Sequence, residues 1–354
     1  MKIVMLAQAG SAHTHRWGAA LARRGHRIHL ITNSSLTVSP DGIETTFLPG
    51  SSSFAYLRNI PRARRLMRSL IPDIVHAHFA TGYGLWGSFQ DCAPLILTVW
   101  GSDVEDAHNG RFGVSWVVRR ALQKACFVTA PSRFLMDRTI DFEPSAADKI
   151  RLIPFGVSVP DDPPVSPSPK EFGIIRLIFA KAYQATYAPE LAIEAFAAAF
   201  RENPRLRLTM IGGGPLKAQL QNQAAAAGLA EVIAIHDRLS PEDALKRIKE
   251  SDLMLMPSRR ESFGVAALEA AAFAVPVIAT RIGGIPEVVQ NEATGILIPP
   301  GDVGALTNAI LRLAGDDGLR AKMGRAGYEF VKKRFELAVC VTQMEALYRQ
   351  AMVG

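Results

Sequence analysis

The sequence predicts an α/β protein that consists of two doubly wound domains, each with a parallel sheet. Three observations support this. Short β-rich runs alternate with helical segments through residues 1–155. A proline-rich stretch, with five prolines between residues 160 and 169, then interrupts the pattern. A second alternating series begins at residue 176, and a chain of 354 residues has room for two domains of roughly 100–200 residues.

The first domain is expected to span residues 1–158. Its strands are predicted at 2–7, 27–32, 73–78, 95–99, 127–129 and 151–153. A helix over 16–24 is expected to end at Gly25, because glycine readily adopts the left-handed conformation that closes helices. Strands that alternate with helices indicate a parallel, doubly wound sheet.

A linker is expected over residues 159–171, followed by the second domain over residues 172–336. The predicted strands are 176–179, 207–211, 232–235, 253–256, 277–279 and 296–298. The predicted helices are 189–200, 216–227, 241–249, 263–273 and 303–314, and a last helix is predicted at 337–352, after the second domain. Two such domains facing each other would form a central cleft at the carboxyl ends of both sheets, where ligands bind.

Charge is distributed unevenly along the chain. Residues 1–160 contain 18 Lys and Arg against 11 Asp and Glu, which accounts for the whole net charge of +7. This basic half indicates an anionic partner such as a phosphate compound, a membrane surface or nucleic acid. The hydrophobic fraction of 48% and the charged fraction of 21% are typical of a globular protein and argue against disorder.

The cysteines and apolar stretches indicate a cytoplasmic protein. Cys92, Cys126 and Cys340 lie far apart, which excludes a disulfide scaffold and a cysteine-rich zinc module. The apolar start is too short for a signal peptide. The longest apolar stretch, residues 265–279, contains Glu269 and Pro276, so no membrane-spanning helix is expected.

The turn around Glu261 is the most informative motif. Glu261 leaves a predicted strand, and a helix is expected to begin near Phe263, so the N–H groups of residues 263–265 would lack partners. Gly264 would let a ligand approach the backbone closely. Such a helix start suits an anion or sugar hydroxyls. Glu269, two turns further, would suit paired hydroxyls such as those of a ribose, although two glutamates at this spacing often only form a charged helix surface.

With its flanking segments, this arrangement resembles the family 4 retaining glycosyltransferases of GT-B fold. The resemblance spans nearly the whole chain. It rests on residues 17–26, 73–78, 100–103, 153–157, 212–215, 257–269, 283–287 and 295–302. It implies two Rossmann-like domains around a central cleft, a nucleotide-sugar donor, no cofactor and no metal. It also implies that a C-terminal helix at about 337–354 crosses back onto the first domain.

The resemblance implies a role for each matching residue. Glu261 would hold hydroxyls of the donor sugar, Lys181 would pair with the diphosphate, and Glu269 would bind the ribose. The other expected donor-binding residues are Gly213, Gly214, Arg238, Leu239, Arg260, Ser262, Phe263, Gly264 and Val265. The expected catalytic residues are Glu261, Lys181, His78 and Asp103, and the expected acceptor-side residues are His15 and Trp100.

The chain departs from the family pattern at three places. Tyr187 and Ala188 stand where the family usually has Lys and Gly, which removes a second cation from the diphosphate site. Arg259 or Arg260 is a candidate replacement. Trp100 stands where the family has a histidine, and Ala274 stands where a glycine normally ends the helix that carries Glu269.

Two other kinds of site are not favoured. The H-x-H pairs at 13–15 and 76–78 have no carboxylate or cysteine at ligand spacing, so core or cleft-lining histidines are a better interpretation than zinc ligands. The glycines at 212–214 follow a predicted strand, but Lys217 breaks the G-x-G-x-x-G pattern of a nicotinamide enzyme.

A basic amphipathic helix is expected around residues 58–68. Its arginines are Arg58, Arg62, Arg64, Arg65 and Arg68. The segment is either a solvated arginine face or a surface for an anionic membrane, at the inner face of the cell membrane, or for an anionic acceptor. Nucleic acid is not expected, because no aromatic stacking platform accompanies the charge.

The predicted reaction moves a sugar from a nucleotide-sugar donor to a glycan, lipid-linked or small-molecule acceptor with retention of configuration. Retention can proceed through a covalent intermediate on a carboxylate, or the leaving diphosphate can accept the acceptor's proton. No obvious nucleophile lies beside the donor motifs, which favours the second route. The alternatives are a nucleotide-binding relative without transfer activity and a nucleotide-sugar epimerase or phosphorylase on the same fold.

Overall fold

The computed structural model describes residues 1–33, 42–50, 52–110, 113–162 and 173–353. The chain divides into two compact units. The first unit contains Met1–Phe155 and Leu337–Gly354, and the second contains Gly156–Glu336. The part of the expected linker between residues 163 and 171 lies outside the described residues.

Among the described residues, the first unit has a parallel sheet of seven strands in the order β3-β2-β1-β4-β5-β6-β7. The strands are β1 (Lys2–Leu6), β2 (Arg27–Thr32), β3 (Glu44–Phe47), β4 (Ile74–His78), β5 (Leu95–Thr98), β6 (Phe127–Ala130) and β7 (Ile150–Leu152). The helices are α1 (Ala12–Arg23), α2 (Ser53–Leu70), α3 (Gly82–Ser88), α4 (Ser102–His108), α5 (Val114–Lys124) and α6 (Arg133–Phe142).

The described part of the second unit has a parallel sheet of six strands in the order β10-β9-β8-β11-β12-β13. The strands are β8 (Ile175–Ala180), β9 (Leu206–Ile211), β10 (Ile233–His236), β11 (Leu253–Met256), β12 (Val277–Thr280) and β13 (Gly295–Ile298). The helices are α7 (Pro189–Glu202), α8 (Lys217–Ala226), α9 (Pro241–Lys249), α10 (Val265–Ala272), α11 (Ile285–Val288), α12 (Val303–Gly315) and α13 (Asp317–Arg334).

The strand order reverses once in each sheet. The reversal lies between β1 and β4 in the first unit and between β8 and β11 in the second. At such a switch point the loops that leave neighbouring strands diverge, which opens a crevice at the carboxyl edge of the sheet. The loops after β8 and β11 carry Lys181 and Glu261, and the loop after β4 follows His78.

The last helix, α14 (Leu337–Val353), packs within the first unit. Its buried face includes Val341, Met344 and Tyr348, which belong to the same apolar cluster as Trp17 of α1. The Glu345 carboxylate accepts hydrogen bonds from Arg24 and His26, both at 2.8 Å. The motif at residues 17–26 therefore holds the C-terminal helix.

Strand β3 and helix α13 are among the elements that the sequence analysis did not name, and both are poor in apolar residues. Strand β3 reads Glu-Thr-Thr-Phe and lies at the edge of its sheet, so none of its residues is buried. Helix α13 is mostly polar and buries only a narrow stripe that includes Met323 and Val331. An amphipathic pattern this weak is recognisable only when the packing partner is known.

Ala274 adopts the left-handed conformation expected for a residue that replaces the glycine after α10, with φ of 56°. This conformation costs a non-glycine residue about 1 kcal/mol. Its carbonyl oxygen also contacts α13, because a Cβ on Gly324 would lie 2.0 Å from it. The conformation of Ala274 is therefore fixed by packing.

Substitution of Ala274 by glycine is expected to stabilise the second unit by roughly 0.5–1 kcal/mol, since it removes the left-handed penalty at some cost in chain entropy. The urea midpoint measures the change. The control is Ala270→Gly inside α10, which should destabilise by about 1 kcal/mol. A lower midpoint for Ala274→Gly would contradict the assignment.

Candidate active site

Lys181 and Glu261 form an ion pair at the switch point of the second sheet. Lys181 follows β8, and Glu261 lies in the loop after β11. The Lys181 Nζ lies 2.5 Å from Glu261 Oε2, and the two side chains are only 15% and 11% exposed. A lysine and a glutamate that are distant in sequence therefore converge at the place where doubly wound sheets bind ligands.

The pair keeps Lys181 protonated. Burial lowers the pKa of the Lys181 ammonium, but the combined effects of the Glu261 carboxylate, Tyr187 and Glu269 outweigh it. The net result is a pKa above the ordinary lysine value. The site therefore carries a partly buried cation whose counterion is a carboxylate, and an anionic ligand could exchange with that counterion.

The helix after Glu261 begins two residues later than the sequence predicts. It starts at Val265, because Gly264 has φ of 99° and cannot belong to a right-handed helix. Phe263 is buried against Phe335 and acts as a core anchor. The expected N–H groups therefore shift along the chain, and the first ones without an intrahelical acceptor are those of Val265 and Ala266.

The glycines of the 283–287 motif and Gly264 serve packing between loops. A Cβ on Gly264 would lie 2.6 Å from Ile285 Cδ1, so this glycine makes room for α11. This packing accounts for a glycine at position 264 without the expected approach of a ligand to the backbone. The Gly284 N–H donates to the Glu261 carbonyl at 3.2 Å. A Cβ on Gly284 would lie 2.3 Å from the Ser262 carbonyl oxygen. The two loops therefore fix the backbone around Glu261.

The glycine loop after β9 lies against the loop that carries Lys181. A Cβ on Gly212 would lie 2.2 Å from the Lys181 carbonyl oxygen, and the Tyr183 N–H donates to the Gly213 carbonyl at 3.0 Å. Gly214 has φ of 148°, and a Cβ there would lie 2.5 Å from the Tyr183 carbonyl oxygen. The sequence analysis missed Tyr183, whose backbone joins the loop after β8 to the glycine loop after β9.

Arg238 and Leu239 lie in the loop between β10 and α9. Arg238 is exposed, and a Cβ on Gly213 would lie 3.7 Å from Arg238 Cβ. The structure thus brings the loops after β8, β9 and β10 next to one another at one edge of the sheet. The predicted donor residues of these loops are neighbours in space.

The two arginines beside Glu261 have different surroundings. The Arg259 guanidinium binds Glu190 at 2.6 Å and the Ala185 carbonyl at 2.8 Å, so it holds the loop after β8. Arg260 is exposed, and the described residues provide no ion-pair partner for it. Of the two candidate replacements for the second cation, Arg260 is the one whose side chain remains available.

Tyr187 lies beside Lys181. Its ring centroid is 4.8 Å from Lys181 Nζ, within the range of a cation–π interaction. Ala188 has φ of 48°, which is the left-handed conformation that a glycine adopts more easily, at a cost to alanine of about 1 kcal/mol. Position 188 therefore has a left-handed backbone that would suit glycine better than the alanine that stands there.

His78 is the central buried polar group at the switch point of the first sheet. It ends β4, is 3% exposed, and neither ring nitrogen has a hydrogen-bond partner among the described residues. Burial lowers the pKa of His78 to about 3, with a further contribution from His13. His78 is therefore neutral at physiological pH and can exchange hydrogen bonds with a hydroxyl, but it is a weak general base.

The aromatic side chains around His78 form a cluster. The Trp100 ring centroid lies 6.0 Å from that of His78 and 5.3 Å from that of His13, which stacks on Phe155 at 4.7 Å. His15 lies apart, with its Nε2 2.5 Å from the Ala9 carbonyl oxygen. The structure therefore groups the predicted residues His78 and Trp100 and leaves His15 to anchor the loop after β1.

His76 and Asp103 hold the elements around this cluster. His76 is hydrogen-bonded to Tyr348 Oη and Thr98 Oγ1, both at 2.7 Å. Asp103 is 1% exposed, and its carboxylate accepts backbone N–H groups. The donors are Ala80 at 2.7 Å, Gly101 at 2.8 Å, and Trp100 and Val104 at 3.1 Å.

Asp103 was expected to be catalytic, but its carboxylate oxygens point to backbone rather than to an open site. Burial raises the pKa of Asp103, while the four N–H donors oppose this effect. The Asp103 carboxylate thus ties the loop after β5, with Trp100, to the loop after His78, and its catalytic role stays a prediction. In the described chain, no group of three or more His, Cys, Asp or Glu is arranged to hold a metal ion.

Two family models match the chain. "Glycosyl transferase 4-like" matches residues 2–132, and "Glycosyl transferases group 1" matches residues 166–330. A D-inositol 3-phosphate glycosyltransferase of Saccharomonospora viridis is 30% identical over 94% of this chain and 87% of its own length. The chain belongs to the family 4 glycosyltransferases of GT-B fold.

One further relative of this glycosyltransferase and two solved structures agree with this family and fold. An N-acetyl-alpha-D-glucosaminyl L-malate synthase of Bacillus anthracis is 27% identical over 94% of the chain and 91% of its own length. Sucrose-phosphate synthase of Thermosynechococcus elongatus has a TM-score of 0.86 at 21% identity over 99% of this chain and 98% of its own. Anabaena HepE in complex with UDP-glucose has a TM-score of 0.82 at 18% identity over 99% and 100%.

The comparison confirms the GT-B, Rossmann-like fold class and the family that the sequence motifs predict. The glycosyltransferase has no described helix with the length and apolarity required of a membrane span. The roles of individual residues remain predictions, and the site geometry gives the partners and distances of each residue. Lys181, Glu261 and Tyr187 in the second unit, and His78 and Trp100 in the first, are the residues on which those predictions depend.

Proposed function

We propose that this glycosyltransferase binds a nucleoside diphosphate sugar in the second unit and transfers the sugar with retention of configuration. The observation that carries the proposal is the partly buried Lys181–Glu261 pair at the switch point, directly before the start of α10. An ammonium whose counterion is a neighbouring carboxylate suits exchange with a diphosphate. The N-terminal end of α10 adds partial positive charge.

Donor binding would redistribute these contacts. Diphosphate oxygens take the place of Glu261 Oε2 at the Lys181 ammonium, and exposed Arg260 supplies a second cation. The Glu261 carboxylate is then free to accept hydroxyl groups of the sugar. Glu269, on α10 and within electrostatic reach of Lys181, would accept the ribose hydroxyls. No cofactor or metal ion is needed, because side-chain cations and helix N–H groups neutralise the diphosphate.

We favour a mechanism in which the leaving diphosphate is the base. The bond between the anomeric carbon and the diphosphate oxygen breaks, and the bond to the acceptor oxygen forms on the same face. The acceptor hydroxyl proton moves to a diphosphate oxygen. His78 supports this route, because burial lowers its pKa to about 3 and makes it a weak base at neutral pH. Lys181 stabilises the charge that develops on the diphosphate.

The named relatives indicate the substrate classes to test first. One acts on an inositol phosphate and another makes an N-acetylglucosaminyl malate, so both names give small anionic acceptors. HepE binds UDP and UDP-glucose. We therefore propose a hexose donor carried on a nucleoside diphosphate, and an acceptor that is a small molecule, a glycan or a lipid-linked compound.

A thermal-shift screen of UDP-, GDP- and ADP-sugars tests donor binding without knowledge of the acceptor. A donor at 100 times its Kd stabilises the folded state by about 2.7 kcal/mol, which raises Tm measurably. At least one donor is expected to do so, and its free sugar is expected not to. No shift with any of them at millimolar concentration would contradict the proposal.

Tyr187 also supports a second candidate, a protein that binds the nucleotide-sugar without transferring sugar. The expected second cation is missing there, and less charge on the diphosphate is stabilised. A donor that binds but is not consumed with any acceptor of a panel containing inositol phosphates, malate, sugars and prenyl phosphates would favour this candidate. Conversion of the donor without acceptor would favour an epimerase.

We further propose that α2 adheres to an anionic membrane surface. Arg58, Arg62 and Arg65 are exposed, α2 contains no acidic residue, and Phe54 and Leu57 are 71% and 48% exposed. Exposed arginines beside apolar side chains are the features of an interfacial helix. In a parallel sheet the crossover helix starts at the carboxyl edge, so this end of α2 lies at the same edge as His78 and suits a lipid-linked acceptor.

Flotation with vesicles of phosphatidylglycerol and phosphatidylcholine tests this surface. Replacement of Arg58, Arg62 and Arg65 by glutamine is expected to weaken binding roughly a hundredfold or more at low salt, since each cation contributes about 1 kcal/mol. The control is Arg64→Gln with Arg68→Gln, because both are paired with Asp91 at 2.7 and 2.5 Å and should contribute less. A wild-type protein that stays unbound at low salt would contradict the proposal.

A further inference from the structure

The residue that replaces the second cation is held in a fixed position. The Ala185–Tyr187 turn is joined to the loop that carries Glu261: the Thr186 carbonyl accepts the Arg259 N–H at 2.8 Å, and the Arg259 guanidinium binds the Ala185 carbonyl. On its other side, left-handed Ala188 leads directly into α7. The Tyr187 backbone is therefore fixed from both sides.

The fixed turn places the Tyr187 ring next to the ammonium of Lys181, the partly buried cation that we propose binds the diphosphate. Lys181 Nζ lies 2.5 Å from the Glu261 carboxylate and 4.8 Å from the centroid of the Tyr187 ring. A lysine at position 187 would place a second ammonium near the first. A tyrosine instead attracts the ammonium through its π face, and it does so whether or not an anion is bound.

We propose that Tyr187 is a positioning residue for the donor, and that its aromatic face holds the Lys181 ammonium where the diphosphate binds. This inference rests on the proposed donor site. Where the family usually has a lysine that contacts the diphosphate, this chain thus has an aromatic ring. The ring preorganises the ammonium of Lys181. Preorganisation contributes to affinity because less freedom is lost on binding.

The test uses the full-length protein and the nucleoside diphosphate, among UDP, GDP and ADP, that wild type binds most tightly by calorimetry. Tyr187→Leu is expected to weaken binding about tenfold, which is within the range of a partly desolvated cation–π contact. Tyr187→Phe keeps the ring and is expected to retain wild-type affinity within about threefold. Equal Tm values without nucleotide verify that both variants are folded.

A pH series separates positioning of Lys181 from a general structural role. Lys181 faces the carboxylates of Glu261 and Glu269, which favour its charged form against the effect of burial, and the Tyr187 ring, whose π face attracts the ammonium rather than the neutral amine. Loss of the ring removes the cation–π contact, so the pKa of Lys181 is expected to fall. The loss of nucleotide affinity at alkaline pH should therefore begin at lower pH in Tyr187→Leu than in wild type or Tyr187→Phe.

The outcomes distinguish this inference from the proposed function. If wild type binds a diphosphate and Tyr187→Leu binds it equally well, Tyr187 has no positioning role and the donor site stands. If Tyr187→Phe loses as much affinity as Tyr187→Leu, the hydroxyl rather than the ring matters, and the inference is overturned. If wild type binds none of the three nucleotides, the donor site and the inference both fail.

Discussion

Replacement of Lys181 by alanine is expected to lower kcat by roughly 100- to 1000-fold, the range found when one preorganised donor to developing negative charge is removed. The reason is the position of Lys181. Its Nζ lies 2.5 Å from Glu261, at the place in the second unit where we propose that the diphosphate binds. The measurement is release of nucleoside diphosphate with the donor from the thermal-shift screen and an acceptor from the panel.

The fold must survive for this result to be informative. Loss of Lys181 leaves the Glu261 carboxylate, 11% exposed, without its counterion, so a lower Tm is also expected. Lys181→Ala combined with Glu261→Gln removes that unpaired charge and should regain Tm but not turnover. The control is Lys322→Ala, an exposed lysine of the same unit, which should leave both unchanged. Near-normal turnover in Lys181→Ala would remove the lysine from the mechanism.

Replacement of Glu345 by glutamine is expected to destabilise the first unit by about 2–3 kcal/mol. Glu345 is 10% exposed and pairs with Arg24 and His26, each at 2.8 Å, so its loss leaves two cationic or polar groups without a carboxylate. Removal of one partner of a buried pair costs about 3–5 kcal/mol, and the partial exposure of Arg24 reduces this figure. Urea unfolding, followed by the fluorescence of Trp17 and the other tryptophans, measures the change.

The effect of Glu345 should depend on pH in a defined direction. Burial raises the pKa of Glu345, but the hydrogen bonds from His26 and Arg24 outweigh it and lower the pKa below the ordinary value. The contribution to stability is therefore complete above the unfolded pKa of about 4.3 and is lost as the pH falls through the lower, folded pKa.

Wild type and Glu345→Gln should accordingly differ most near pH 6–7 and converge as the pH falls below about 4.3. The control is Glu329→Gln, at an exposed position on α13, which should match wild type at every pH. A difference between wild type and Glu345→Gln that does not change between pH 7 and pH 3 would show that the carboxylate charge is not the source of the stability.

The alternation of strands and helices was predictable because buried parallel strands are continuous apolar runs. All four residues of β11 and all four of β13 are buried, and both appear as short apolar segments in the sequence. Strand β3 was not predictable, because an edge strand with polar residues has no such run. The start of α10 was misplaced because the sequence does not show that Gly264 is left-handed.

The proximity of Lys181 and Glu261 was predictable, since both follow neighbouring parallel strands whose carboxyl ends meet at one edge of a sheet. The surroundings of each were not. Arg259 and Arg260 are adjacent in sequence, yet Arg259 is tied to Glu190 while Arg260 is exposed. The sequence did not show that the carboxylate of Asp103, expected by its position to act in catalysis, accepts backbone N–H groups from two loops.

The sequence by itself determined the two-unit α/β architecture, the family and the residues that could carry a diphosphate site. Those properties depend on local periodicity and on short motifs, which neighbouring residues encode. Only the tertiary structure decided that Lys181 is paired with Glu261, that Tyr187 covers its ammonium, and that His78 is buried and uncharged. Such contacts join residues up to 80 positions apart in sequence, and their charge states depend on burial, which exists only once the chain is folded.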